Sequence, residues 1–576
     1  MTVQVFIDDI RGADRQGSGS AVEAVRRSYE RIAAWDDPAL FISLKDRLAA
    51  LDEAGRIDAG VATPLRGLVF AVKDNIDVAG METTAACPAF AYRAERSAFA
   101  VARLEAAGAI VIGKTNLDQF ATGLVGVRSP YGIPRNALRT DLIPGGSSSG
   151  SATAVAAGIV DFALGTDTAG SGRIPAGMNG IVGLKPSLGL ISGTGMVPAC
   201  RTLDTISIFA RDVATGFEAM SVAAGYDAAD PWSKPMPIGL AGKPPVLKVG
   251  ISRKDQRKFF GDPHSEAAFE ADLERLAKLG ATLVEVDFGP LLETARLLYE
   301  GPWVAERYAA TKPLIEQHPE AFHPTTLKII SGAKDLTAVG AFEAIYKLQA
   351  LRRKAAAIFA EIDVLAVPTV PRFYTVAEVL ADPVTLNSNL GTYTNFVNLL
   401  DLAAIAVPVG TRGDDLPSGL TLIGRSGSDG LLAGIGLALE GRETSPHASG
   451  IEIAVVGAHL SGLPLNRELV SLGGRFVRKV TTIPCYRLYA LPGTTPPKPG
   501  LLRTAEGQGA GIEAEIWSLD ASSFGTFVAK IPKPLGIGTL DFADGSSAKG
   551  FLVEAEAVKG AEDISFYGGW RAYLTR

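Results

Sequence analysis

Two glycine-rich serine blocks constrain this chain more than any other feature: Gly145-Gly146-Ser147-Ser148-Ser149-Gly150-Ser151 and Gly165-Thr166-Asp167-Thr168-Ala169-Gly170-Ser171. Ser147 and Ser171 are 24 residues apart, and a lysine, Lys73, stands upstream at the end of the run Gly67–Val72. A serine hydroxyl is a weak nucleophile until a base takes its proton. An amine can do so only when neutral, so Lys73 needs a depressed pKa, and burial supplies one. The apolar run before it reads as a buried strand that carries Lys73 into the interior. A second serine can relay the proton between nucleophile and lysine. Glycines around both serines let backbone N–H groups converge on a developing oxyanion. The N–H groups of Thr168, Ala169, Gly170 and Ser171 are the candidates for that hole.

Taken singly, these features have plainer readings. A Gly/Ser block reads as a flexible linker, or as an anion site at the start of the small-residue helix Ser151–Gly158. Ser148 centres a G-x-S-x-G match, the elbow of α/β-hydrolases, which needs a later Asp and His in that order. The chain has five histidines, and His264, His318 and His323 stand in no distinctive motif. A lysine after a strand is commonly a surface residue. The ordered combination is what points to a serine hydrolase with lysine as its base.

In that order and spacing the motifs resemble the amidase signature family, whose blocks usually read GGSSGGSA and GTDxGGSxRxPA. Here they are Gly145–Ala152 and Gly165–Ala176, and the likeness runs over roughly residues 20 to 440, including Gly419–Gly424. The resemblance implies Lys73 as base, Ser147 as bridging serine after a cis peptide, and Ser171 as nucleophile of an amidohydrolase acting on linear amides. Neither a metal nor an organic cofactor is implied, and no H-E-x-x-H, CxxC pair or P-loop occurs. Ser149, Ala169 and Gly172 depart from the family pattern. Those departures, with the run Phe120–Gly132 and the extra C-terminal domain, resemble one branch, the allophanate hydrolases. The implied substrate is then allophanate, a small ureido carboxylate.

Such a substrate needs a fixed cation, and the planar fork of arginine suits a carboxylate. Leu291–Ala310 reads as one helix that places Tyr299 and Arg307 on one face, two turns apart. By pattern alone the pair reads sooner as a surface arginine and a half-buried tyrosine; the resemblance makes it the substrate clamp. Gly123 offers backbone groups to the ureido end, and Arg173 braces the nucleophile loop.

A length of 576 residues predicts two or three domains, and 47% hydrophobic with 20% charged residues predicts a substantial core. A net charge of −6 argues against nucleic acid or an acidic membrane as partner. Cys87, Cys200 and Cys485 form no disulfide framework and suit a reducing, cytoplasmic setting. Neither a signal peptide nor a membrane span is evident. Ser20 caps a helix over Ala21–Ala34. Helix–strand units recur, Ala98–Ala107 before Ala109–Ile112 and Ser265–Leu279 before Ala281–Val286, so an α/β fold with a mixed sheet flanked by helices is expected. Residues 226–246, rich in Pro and Gly, read as a connecting excursion.

The expected organisation is an amidase domain over 1–440, a linker over 441–450 and a second domain over 451–576. The strand-like runs Ile451–Val456, Tyr486–Leu491, Ile512–Trp517 and Phe551–Ala557 predict a small α+β domain built on a barrel. Its loop Val456–Asn466 resembles the first loop of γ-glutamylcyclotransferase-like folds. His459 in that loop is a candidate acid or base, or else a structural histidine. Ile531–Gly538 either lines the same mouth or is an ordinary Pro/Gly loop.

The activity implied is hydrolysis of allophanate to ammonia and carbon dioxide, with the second domain acting on the N-carboxycarbamate intermediate. The alternatives are another small-amide amidase, or the ammonia-donating component of a tRNA-dependent amidotransferase; the extra domain argues against the latter. Residues 451–576 could instead be an assembly module. The resemblance is compatible with a homodimer and with a functional link to a urea carboxylase or a biuret-degrading enzyme.

Overall fold

The computed structural model describes residues 20–442 and 450–576; the first nineteen residues and most of the expected linker lie outside them. The first described helix, Ala21–Trp35, starts as expected at Ser20. The Ser20 hydroxyl accepts the N–H of Glu23 while the Glu23 carboxylate accepts that of Ser20, so two orphan donors are satisfied reciprocally. The expected helix–strand units appear as Phe99–Ala106 before Ile110–Thr115, and as Pro263–Lys278 before Ala281–Val286. Residues 226–246 hold neither helix nor strand.

Eleven strands form one mixed sheet. Their order is Phe41–Leu44, Ile110–Thr115, Val69–Lys73, Phe162–Asp167, Thr205–Ala210, Val182–Lys185, Leu402–Thr411, Pro417–Arg425, Val364–Pro368, Leu247–Ser252 and Ala281–Val286. Val69–Lys73 runs parallel to both of its neighbours, and all five of its residues are buried. Continuous apolar runs of this kind are what a parallel sheet covered on both faces requires. Val25, Ala50, Ala54, Ala71, Ile112 and Val155 pack into one core, and Leu291, Leu298, Phe359, Leu365 and Val367 into another. Three parallel strands therefore end together, at Lys73, Thr115 and Asp167. The carboxyl ends of such strands are where α/β sheets place their ligands.

The single helix expected over Leu291–Ala310 is two, Gly289–Glu300 and Trp303–Gln317. Pro302 has no N–H to continue the ladder and disfavours helical backbone in the residue before it. Gly301 is accordingly extended, at φ −103° and ψ −171°. Tyr299 and Arg307 thus lie on successive helices and not on one helix face.

The chain divides into two compact units. One comprises the residues up to Pro235 with Gly250–Lys278 and Leu283–Arg425; the other comprises Met236–Val249, Leu279–Thr282 and Ser426–Arg576. In the second unit a five-stranded sheet runs Arg475–Thr481, Glu513–Leu519, Ile451–Val455, Ser547–Val553, Leu535–Asp541, and a three-stranded one runs Lys498–Arg503, Tyr486–Leu491, Glu562–Asp563. The expected barrel does not close. Among the described residues, a single bridge, Thr482 with Phe542, lies past the two edge strands of the larger sheet. Among the described residues no helix is long and apolar enough to cross a membrane.

Candidate active site

Lys73 ends its strand fully buried, and Ser147 and Ser171 are buried with it. The Gly146–Ser147 peptide is cis. Lys73 Nζ donates to Ser147 Oγ at 2.8 Å and to Thr166 Oγ1 at 2.7 Å. The Ser147 hydroxyl donates to Ser171 Oγ at 2.9 Å, and the Ser171 hydroxyl to the Gly123 carbonyl at 3.4 Å. Amine and hydroxyls form one continuous chain. Burial brings the Lys73 amine down to about 7; Asp118, Asp204 and Asp167 oppose that shift and Arg307 adds to it. Near neutral pH the amine is therefore divided between its two forms, as a base working there must be.

The nucleophile loop is braced from within. Arg173 grips Asp167 with two parallel bonds, Nε to Oδ2 and Nη2 to Oδ1, both 2.9 Å, and both side chains are fully buried. Burial opposes ionisation of Asp167, but the Arg173 guanidinium outweighs it and holds the carboxyl below the usual range. The same carboxylate accepts the N–H of Gly170 and of Gly172, each at 3.0 Å. Of the four N–H groups expected in the oxyanion hole, that of Gly170 is thus already engaged. The Thr168 hydroxyl donates to Asp204, whose carboxyl burial pushes up to about 6. Ser148 does not face the site: its hydroxyl bonds the backbone of Thr166.

Arg307 is 3% exposed and reaches the same region. Its Nη1 donates to the Ala121 carbonyl at 3.2 Å and to Thr122 Oγ1 at 3.1 Å. Tyr299 is half-buried and close enough to Arg307 to act on its charge. The structure brings Lys73, Ser147, Ser171 and Gly123 into direct contact and sets Arg307 beside the Gly123 loop. The motif pattern singles out neither Thr166 nor Asp118, although both touch this constellation. Thr166 lies inside the second block and is in view there, whereas Asp118 has no signal short of the folded loop.

In the second unit, His459 lines a cavity of about 300 Å³ with Glu468, Lys498, Lys530 and Pro532 among its walls. The ring stacks on Phe551 and meets Phe527 edge-on, and one ring nitrogen is 3.0 Å from Glu468 Oε2. Burial lowers the imidazole pKa; Glu468 opposes this and Lys498 adds to it. Ile531 and Leu535 line the same cavity, so part of the Ile531–Gly538 run belongs to it before the strand Leu535–Asp541 begins.

A buried amine, two serine hydroxyls in hydrogen-bond contact and a braced glycine turn make an arrangement that can activate a serine oxygen. Residues 23–433 match the amidase family model, and the chain belongs to that family. Residues 451–575 match the model of the allophanate hydrolase C-terminal domain. Urea amidolyase of Saccharomyces cerevisiae is 41% identical over 100% of this chain and 33% of its own length. Urea amidolyase of Lachancea kluyveri is 44% identical over 89% of this chain and 30% of its own length. The allophanate hydrolase of Kluyveromyces lactis superposes with a TM-score of 0.75 at 38% identity, over 100% of this chain and 99% of that one. The chain spans about a third of the length of the urea amidolyases it matches.

Proposed function

We propose that this chain hydrolyses allophanate, with Ser171 as nucleophile, Ser147 as relay and Lys73 as base. The observation that carries the reading is the unbroken chain of contacts from Lys73 through Ser147 to Ser171 in a protein whose remaining residues match the allophanate hydrolase C-terminal domain. When Lys73 is neutral it accepts the Ser147 proton, Ser147 accepts that of Ser171, and Ser171 Oγ attacks the amide carbon. The N–H groups of Thr168, Ala169 and Ser171 would receive the oxyanion. The proton returns by the same path to the leaving nitrogen, ammonia departs, and water then hydrolyses the N-carboxycarbamoyl ester. Arg307 with Tyr299 would hold the substrate carboxylate, and Gly123 the ureido end.

The dianion released still has to lose carbon dioxide. We assign that step to the cavity around His459, and the cyclotransferase-like reading extends only to this mouth. Likeness to urea amidolyases supports a link to a urea carboxylase. The test is ammonia release from allophanate, biuret, malonamate and simple amides, by the intact protein and by Ser171→Ala. Activity confined to allophanate and lost in the variant supports the reading. Retention in Ser171→Ala, with loss in Ser148→Ala, would overturn it.

A further inference from the structure

Asp118 is fully buried just beyond the strand Ile110–Thr115. Its N–H donates to the Ser147 carbonyl at 3.0 Å. Its carboxylate accepts three backbone N–H groups from one loop: Gly126 at 2.9 Å and Val125 at 3.3 Å on Oδ2, and Arg128 at 2.9 Å on Oδ1. That loop also presents the Gly123 carbonyl to Ser171, and its Leu124 carbonyl accepts the Gly146 N–H at 2.8 Å. Two glycines leave the space the carboxylate occupies. A Cβ on Gly146 would stand 2.1 Å from Asp118 Oδ2, and one on Gly123 would stand 2.5 Å from it. One residue therefore joins the segment that carries Ser147, through its backbone N–H, to the loop that faces Ser171, through its carboxylate.

Its charge also has a distinct place. Lys73 is faced by Asp118 before the Gln119–Ala121 turn, Asp167 at its strand end, Asp204 before the strand Thr205–Ala210, and Arg307 from the helix Trp303–Gln317. Next to Lys73 in sequence, Asp74 pairs with Lys114 at 3.2 Å. Asp167 is paired with Arg173, and Asp204, pushed up to about 6 by burial, loses its charge just below neutrality. Asp118 is held by N–H dipoles, with the Arg128 guanidinium also acting on it. Burial alone would leave Lys73 too weak a base to keep a proton between its two transfers, because proton-transfer efficiency falls as the base weakens.

We infer that Asp118 is a positioning residue of the hydrolytic site: its carboxylate holds the Gly123–Arg128 loop to a residue whose backbone N–H is bonded to the Ser147 carbonyl, and supplies the negative field under which Lys73 holds its proton. This rests on the reading of Ser171 as nucleophile. The experiment follows the labelling of the full chain by phenylmethanesulfonyl fluoride against pH, with the labelled residue found by mass spectrometry, beside allophanate turnover. Label on a residue other than Ser171 in the unmodified protein sinks that reading and leaves Asp118 with nothing to position. With Ser171 labelled, Asp118→Asn is expected to move the rising limb of the rate about one pH unit lower. Its kcat at the plateau is expected to fall about tenfold with KM little changed. A limb that stays in place overturns the inference. Should the variant not fold, hydrogen exchange on the unmodified protein decides. The amides of Val125, Gly126 and Arg128 are expected to exchange as slowly as those of the strand Val69–Lys73, and free exchange there would overturn the clamp.

Discussion

Thr166 Oγ1 lies 2.7 Å from Lys73 Nζ, on the neighbouring parallel strand. A neutral amine has two N–H groups and one lone pair. Giving one N–H to Thr166 turns the lone pair toward Ser147, which is 2.8 Å away. Thr166→Val keeps the shape of the side chain and removes the acceptor. The lost bond is a buried one, so a cost of about 1–2 kcal/mol, or about five- to thirtyfold in rate, is expected in kcat with KM little changed. Steady-state kinetics of the variant check this; an equal loss in KM would mean Thr166 serves binding.

The pH dependence follows from the same amine. Lys73 must be neutral to accept a proton, and its pKa is about 7. Protonation below that value removes the base, so kcat/KM is expected to rise with pH through about 7, with a slope of one on a logarithmic plot, and then to level off. Lys73→Arg keeps a cation that does not deprotonate and is expected to be inactive across the range. A measured profile flat from pH 5 to 9 would contradict Lys73 as the base.

Much of this site is legible in the sequence because its parts are local. Glycine-rich turns, the apolar run before Lys73 and the order of the blocks are properties of short segments. Asp118 is not legible, because its partners Ser147 and Gly126 approach only when two loops fold together. The break between Tyr299 and Arg307 is written as Gly301-Pro302, a helix stop that an apolar pattern on both sides obscures. Alternation likewise reveals the strands of the second unit, yet whether its sheet closes depends on how edge strands pair, which no single strand encodes.

A variant at Arg307 tests recognition apart from chemistry. Its Nη1 is tied to Ala121 and Thr122, which fixes the guanidinium plane. Arg307→Lys keeps the charge and loses the fork. Use of allophanate is expected to fall about ten- to a hundredfold, since a charge-assisted bond contributes about 1.5–3 kcal/mol, whereas a neutral amide should lose far less. Competition assays with both substrates measure the ratio; equal losses would make Arg307 a brace for the Thr122 loop.

His459 gives the final prediction. Burial lowers the pKa of its imidazole, and Glu468, 3.0 Å from one ring nitrogen, orients the ring against Phe527 and Phe551. Its loop is anchored by a second cluster. Glu515, fully buried, accepts the N–H and hydroxyl of Ser461 at 2.8 and 2.7 Å, and Arg571 at 2.8 Å. Once it has taken a proton from water, a ring so oriented in a walled cavity can pass that proton to a carboxylated nitrogen as carbon dioxide leaves. In the full chain, His459→Asn is expected to leave ammonia release at the first step unchanged and to slow carbon dioxide release. Glu515→Gln, which weakens the anchor without touching the ring, should slow carbon dioxide release less and lower the melting temperature of the second unit. Stopped-flow detection of both products distinguishes the cases. If both rates survive His459→Asn, the cavity serves assembly and the histidine is structural.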